Sequence, residues 1–208
     1  MRQTEAWTGD IGKEYTDRNA LPLDKLDSLY LNRYGFSRTQ LNSTFIGNLD
    51  KKIRILEVGS NIGNQLALLQ KAGFTNLYGI DIQPYAVEIA KRKTQGINII
   101  QGSAYDIPFK DNFFDLVLTS GLLIHIPPVE IEQALKEIIR CTRKYIWCFE
   151  YFAKQYTPIV WRGQQDLVWK TDFLEMFLKY PELRLAKQVS LKYIANHNVD
   201  MMFLLEKT

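Results

Sequence analysis

The stretch Lys52-Ile53-Arg54-Ile55-Leu56-Glu57-Val58-Gly59-Ser60-Asn61-Ile62-Gly63 constrains the fold of this chain more than any other. A short apolar run drives into Gly59, and Gly63 follows just before a helically spaced segment, Asn64 to Ala72, closed by Gly73. Strand, glycine turn and helix in that order form the first half of a βαβ unit. Gly59 permits the tight turn, and Gly63 lets the helix pack close to the strand.

The same rhythm continues downstream. Strands are expected at 76–82, 98–101, 114–119 and 145–150, and helices at 84–94, with Pro84 in the first turn, and at 130–141. Ile131, Ala134, Leu135 and Ile138 form one apolar stripe of the last helix. Strands alternating with helices imply a parallel sheet with right-handed crossovers. The tail breaks the rhythm. A helix around Lys170–Lys179 precedes two strand-like runs, 191–195 and 199–205, joined by Asn196-His197-Asn198. That link reads as a hairpin, which places one reversed strand at the sheet edge. The expected fold is α/β: a Rossmann-like three-layer αβα sandwich whose seven-stranded, mostly parallel sheet has one antiparallel strand near the C-terminus. The expected organisation is one domain over 1–208. Residues 1–48 form an N-terminal cap, 49–151 the cofactor-binding core, and 152–208 a substrate loop, helix and terminal hairpin. Residues 1–20 read as an irregular arm or short helices, and 24–48 as helical.

Composition narrows the function. A net charge of +3, with Lys and Arg spread along the chain, argues against a nucleic-acid partner. Cys141 and Cys148 make no CxxC pair, and no Asp/His cluster has metal-ligand spacing, so no metal site is expected. Buried free thiols suit a reducing compartment. The polar N-terminus lacks the apolar core of a signal peptide, and no run reaches the roughly 18 apolar residues of a membrane span. These features imply a cytoplasmic protein with no membrane partner.

The ends of the first two strands carry the chemistry. Dinucleotide sites use G-x-G-x-x-G so that backbone can approach a pyrophosphate. Here Asn61 replaces the middle glycine, and Glu57 stands two residues before the first. An acid there repels pyrophosphate and attracts an ammonium group, such as the one S-adenosylmethionine carries beside its sulfonium. Asp81 ends the second strand, where a carboxylate can accept both hydroxyls of a ribose. The blander alternative is that Glu57 and Asp81 cap the loop and the next helix.

These residues resemble the class I methyltransferases, whose motif E/D-x-G-x-G-x-G matches Glu57 to Gly63 except at Asn61. Gln101 to Phe109 is similar to the family's G-D-A…L-P-F segment at the adenine edge, with Ser103 in place of the usual Asp and Ala104 after it. Phe113 to Val117, with Thr119-Ser120-Gly121-Leu122, is similar to its fourth strand and cofactor-facing tip. The resemblance covers residues 50 to 151, and the terminal hairpin suits it too. It implies S-adenosyl-L-methionine as cofactor, S-adenosyl-L-homocysteine as product, and Glu57, Gly59, Ser60, Asn61, Gly63, Asp81, Ile82, Ser103, Ala104, Ser120, Gly121 and Leu122 as the cofactor site. Glu5 to Gly9, Tyr15 to Asn19, the Asn61 variant and Leu122 to Ile126 resemble the methylases associated with pseudaminic acid biosynthesis. That implies a nonulosonate sugar or its precursor as acceptor in surface-glycan biosynthesis, methylated on oxygen or nitrogen.

Several side chains carry two readings. His125, past the fourth strand, is the candidate general base, or its ring fixes the loop before Pro127-Pro128. His197, in the expected hairpin turn, reads as a surface residue. Glu150 and Tyr151 end the fifth strand and either hold the substrate or simply pack. Tyr15 and Arg18 either close over the cofactor carboxylate or belong to a helix packed on the sheet. The aromatic segment 152–170, with Tyr156, Trp161, Arg162 and Trp169, either binds a sugar-like acceptor or forms a packed lid. Two rival functions follow. One is a nicotinamide-dependent oxidoreductase, opposed by Glu57 and the missing glycine. The other is a non-catalytic cofactor-binding accessory protein. Sequence leaves the oligomeric state open.

Overall fold

A computed structural model describes residues 2–208, so Met1, at the head of the polar N-terminus, lies outside it. The sheet has seven strands: β1 (Arg54–Val58), β2 (Asn76–Asp81), β3 (Asn98–Gln101), β4 (Phe114–Ser120), β5 (Thr142–Tyr151), β8 (Leu183–Lys192) and β9 (Val199–Lys207). A separate hairpin pairs β6 (Thr157–Trp161) with β7 (Gln164–Lys170). The sheet order is β3-β2-β1-β4-β5-β9-β8. β1 to β5 pair in parallel, while β9 is antiparallel to both β5 and β8. Six strands therefore run one way and one is reversed. The reversed strand is not at the edge, as the hairpin pattern suggested. β9 inserts between β5 and β8, and its residues Met202 to Leu205 are buried alternately in the cores on the two faces.

The sheet is an apolar layer between two cores. Alternate residues of each strand face opposite sides. Leu56, Val117, Ile146 and Phe203 meet α7 (Ile131–Cys141) and α8 (Phe173–Phe177). Ile55, Leu116, Leu118 and Trp147 meet α3 (Leu23–Tyr34), α4 (Arg38–Ile46), α5 (Asn64–Lys71) and α6 (Pro84–Lys93). The expected α7 stripe is buried throughout. Cys141 and Cys148 are both free and buried.

Local chemistry moved several boundaries. The segment 24–48 is two helices, not one. Gly35 takes a left-handed φ of 80° that ends α3, and Ser37 with Gln40 closes a capping box that starts α4. The aromatic segment 152–170 is not a loop, since β6 and β7 fill most of it. The helix expected over 170–179 shrinks to α8, started by the Asp172 side chain. The strand expected at 191–195 is the end of β8, which begins at Leu183, and residues 193–198 form the link to β9. The first twenty residues are α1 (Arg2–Thr8) and α2 (Asp10–Asn19). Among the described residues no helix is long and apolar enough to cross a membrane, and no group of three or more His, Cys, Asp or Glu could hold a metal ion.

Candidate functional site

A cavity of about 570 Å³ opens over the carboxyl ends of the parallel strands, where ligands of open α/β sheets bind and within the size range of small-molecule sites. Its floor is the β1–α5 turn. Gly59, Asn61 and Gly63 all have left-handed φ, at 75°, 45° and 78°. Asn is the non-glycine residue that best tolerates this region, so the turn keeps its path without the middle glycine. The Asn61 amide also donates to Thr16 Oγ1 (3.0 Å), which ties the turn to α2 above it. A Cβ at Gly59 would meet Leu122 Cδ1 at 2.7 Å, and one at Gly63 would meet Ile99 Cδ1 at 2.8 Å.

α1 and α2 roof this floor. Gln83 donates from Nε2 to the carbonyls of Trp7 and Gly9, each at 3.0 Å, and Gln3 donates to the Asp166 carbonyl in β7 at 2.8 Å. Trp7 lies 4.2 Å from the His125 ring and 5.8 Å from that of Trp161, centroid to centroid. The N-terminal helices and the β6–β7 hairpin therefore meet over the cavity through Trp7.

Of the residues singled out for a cofactor, Glu57, Gly59, Ser60, Asn61, Asp81 and Ile82 line this cavity, as do Ser103, Ala104, Ser120, Gly121, Leu122, Tyr15 and Arg18. Gly63 does not line it and instead seats α5 against Ile99. Asp81 accepts from the backbone N–H groups of Asn61 (2.7 Å, Oδ2) and Gln83 (2.9 Å, Oδ1), so it does cap the turn and the following helix. Each carboxylate oxygen has a second acceptor site, which leaves Asp81 able to take a diol as well. Burial raises its pKa. Glu57 is 3% exposed, and burial pushes its pKa up to about 8. Its Oε2 has no partner. Arg18 Nη2, Ser60 Oγ, Asn61 Oδ1 and His125 Nε2 are likewise buried, unpartnered and on the cavity wall. Unmet buried polar groups are costly, so their gathering around one cavity marks a place for a polar ligand. Ser103 accepts through Oγ from the Tyr105 N–H (3.1 Å), which shapes its own loop.

The three residues considered for catalysis separate. Tyr151 lines the cavity, and burial raises its pKa. His125 lines it too, but burial lowers its pKa to about 4, and its Nδ1 faces the Leu167 carbonyl at 3.4 Å. It is a neutral ring packed against Trp7 and Tyr15, which also touch each other, and a weak proton acceptor at neutral pH. Glu150 does not reach the cavity wall. Its Oε1 accepts from the Leu122 N–H (3.2 Å), and burial raises its pKa to about 7. A carboxylate in that position holds the β4 tip from beneath, because β5 presents Glu150 on the face away from the opening. His197 is exposed in the β8–β9 link.

Arg38 is a cavity residue that motif reading missed. Only 2% exposed, it bonds Asn42 and Gln65 through Nε and the Tyr30 hydroxyl through Nη1, and its charge acts on Glu57. Arg38, Leu41, Asn42, Phe45 and Ile46 share the buried face of α4. An arginine on the buried stripe of a helix is the signal that would have found it. Asp200 is another cavity residue that motif reading missed.

The sequence profile described as "Methyltransferase domain" matches residues 56–148. The phthiotriol/phenolphthiotriol dimycocerosates methyltransferase of Mycobacterium leprae is 30% identical over 133 residues, which are 60% of this chain and 45% of that protein. The demethylmenaquinone methyltransferase of Staphylococcus aureus is 34% identical over 95 residues, 43% of this chain and 39% of that one. This chain thus spans less than half the length of those two relatives. The crystal structure of magnesium protoporphyrin IX methyltransferase from Synechocystis, with bound S-adenosylhomocysteine, superposes with a TM-score of 0.69 at 14% identity, covering 99% of this chain and 98% of that one.

Proposed function

We propose that this chain, whose residues 56–148 match the methyltransferase-domain family, is an S-adenosylmethionine-dependent class I methyltransferase that catalyses methyl transfer to oxygen or nitrogen of a small polar acceptor. The observation that carries the proposal is the set of unpartnered buried groups on the cavity wall, chief among them Glu57 Oε2 near the end of β1. Their chemistry fits the cofactor. Glu57 is the anion for an ammonium group, Asp81 the acceptor for ribose hydroxyls, and Arg18 the donor for a carboxylate. When bound, S-adenosylmethionine supplies an activated methyl group. The protein supplies alignment and a dry pocket. The Gly59–Gly63 turn sets the floor, Asn61 and Gln83 tie down the roof, and Trp7, Tyr15 and His125 exclude water.

The narrower reading of the acceptor is a nonulosonate-type sugar or its precursor. Its support is the N-terminal resemblance, together with Trp161 and the Arg18 guanidinium 5.1 Å above its ring, a pairing suited to a polar ring or an anion. Calorimetric titration of S-adenosylhomocysteine into the protein, beside NADH, tests the cofactor. Micromolar binding of the first and none of the second is expected. NADH binding without S-adenosylhomocysteine binding would return the chain to the nicotinamide reading.

A further inference from the structure

We propose that Asp200, at the start of β9, is the catalytic residue that receives the proton of a hydroxyl-bearing acceptor, with Tyr34 and Tyr193 positioning its carboxylate. This assignment rests on the methyl-transfer reading above and names the part of the site that faces the acceptor.

The placement follows from the reversal of β9. Because β9 runs against β5, its first residues return to the edge where β5 ends, and Asp200 pairs with Tyr151 in register. Asp200 is 1% exposed and lines the same cavity as Glu57 and Asp81. It accepts from the hydroxyls of Tyr34 and Tyr193 (3.0 Å for the latter), and both bonds fall on one oxygen, Oδ2. Paired donors on a single oxygen fix the carboxylate plane without occupying the other oxygen. The cavity it lines also carries Leu26, Leu29, Tyr30, Phe149, Tyr151 and the charged Arg33. Asp200 lies on the cavity wall with both tyrosine bonds on Oδ2, so Oδ1 is the oxygen left for a polar ligand.

Its surroundings also suit a base. The charged and titratable groups facing it are Arg33 and Tyr34 from α3, Tyr193 from the β8–β9 link, Tyr151 from β5 and Lys170 from β7. Burial, opposed by the two tyrosine bonds and the Arg33 and Lys170 charges, raises its pKa to about 6. Ionised at neutral pH yet far more basic than a free carboxylate, it is better matched to proton transfer than His125. In the step it serves, the acceptor's O–H bond breaks and the proton passes to the Asp200 carboxylate. The oxygen's electron pair forms the new bond to the methyl carbon. The methyl–sulfur bond breaks with its electrons left on sulfur, which turns a sulfonium into a neutral thioether.

The test needs no known acceptor. The ¹³Cγ resonance of Asp200, assigned by its loss in Asp200→Asn, is followed against pH in protein saturated with S-adenosylhomocysteine. Two hydroxyl probes are then added at millimolar concentration, phenol for an apolar body and N-acetylneuraminic acid for a sugar. At least one is expected to shift the resonance and its midpoint, and the responding probe tells which body the site takes. Tyr34→Phe and Tyr193→Phe should each raise the midpoint, since each removes a donor to the charged form, while S-adenosylhomocysteine affinity changes less than twofold. If neither probe moves the resonance, or if the tyrosine variants lower thermal stability without moving the midpoint, Asp200 is a structural acid and the proposal falls. Failure of S-adenosylhomocysteine to bind at all would strike the methyl-transfer reading instead. If Asp200→Asn does not fold, Asp200→Glu supplies the assignment by displacing the resonance, and the Phe variants then complete the test.

Discussion

Two ends of one cavity hold their buried carboxylates in different ways. At the carboxyl ends of β1 and β2, Glu57 and Asp81 sit on adjacent parallel strands, and backbone N–H groups of the two βα turns hold Asp81. At β5 and β9, two tyrosine hydroxyls hold Asp200, one of them 166 residues away in sequence. The first end is a product of βα turns, so its parts lie at fixed short spacings. The second is a product of a strand reversal, so its parts meet only after the sheet has closed. Ends built in these ways should fail differently. Changes at the first should weaken cofactor affinity, and changes at the second should leave it intact.

The largest effect expected is from Asp81→Ala. It removes the proposed acceptor for a ribose diol and the anchor of two backbone N–H groups, and should weaken S-adenosylhomocysteine binding ~100-fold by calorimetry, about 2.7 kcal/mol. Asp200→Asn in the same assay should change it less than twofold. Comparable losses in both would erase the distinction between the two ends.

Gly59→Ala should come next. The residue has a left-handed φ of 75°, and a new Cβ would press on Leu122 at 2.7 Å. A loss of about 2 kcal/mol in unfolding free energy is expected, read from denaturant melts. A neutral result would mean that the turn relaxes freely and does not set the floor.

Glu57 should show itself through pH. Burial raises its pKa from 4.5 to about 8. Its contribution to stability is therefore complete below its ordinary value and disappears as pH rises through about 8. An ammonium ligand favours the charged form, so S-adenosylhomocysteine affinity should climb between pH 6 and 8 by up to ~10-fold per unit. Glu57→Gln should flatten both profiles and weaken binding ~10-fold at pH 8. An unchanged slope would remove Glu57 from the cofactor site.

The smallest effect belongs to His197→Ala. In the exposed β8–β9 link, it should move neither melting temperature nor affinity beyond error.

Periodicity and glycine spacing made the left of the sheet legible: β1 to β4, α5 to α7, and the acids at the ends of β1 and β2. The right side was less so. Segment 152–170 looked like a loop because its aromatic and polar residues do not alternate cleanly, yet β6 and β7 pair once Gly163, at φ 78°, turns the chain. Glu150 stood at a strand end like Asp81, but its side chain faces the Leu122 backbone and not the cavity. Strand alternation gives a residue's parity and not which face the opening lies on. His125 was chosen for its ordinary pKa, which burial under Trp7 depresses.

By itself the sequence determined the α/β class, the mostly parallel sheet, the β1–α5 turn with Asn61, and the acids Glu57 and Asp81 at the ends of β1 and β2. Those features rest on interactions within one βαβ unit, where a few residues' spacing fixes geometry. Only the tertiary structure decided that β9 lies inside the sheet, that α1 and α2 roof the cavity through Gln83 and Asn61, and that Arg38 and Asp200 face its ligand space. Each of these depends on contacts between segments far apart in the chain, whose partners no local pattern names, and on burial, which sets the charge state of every acid and histidine in the site.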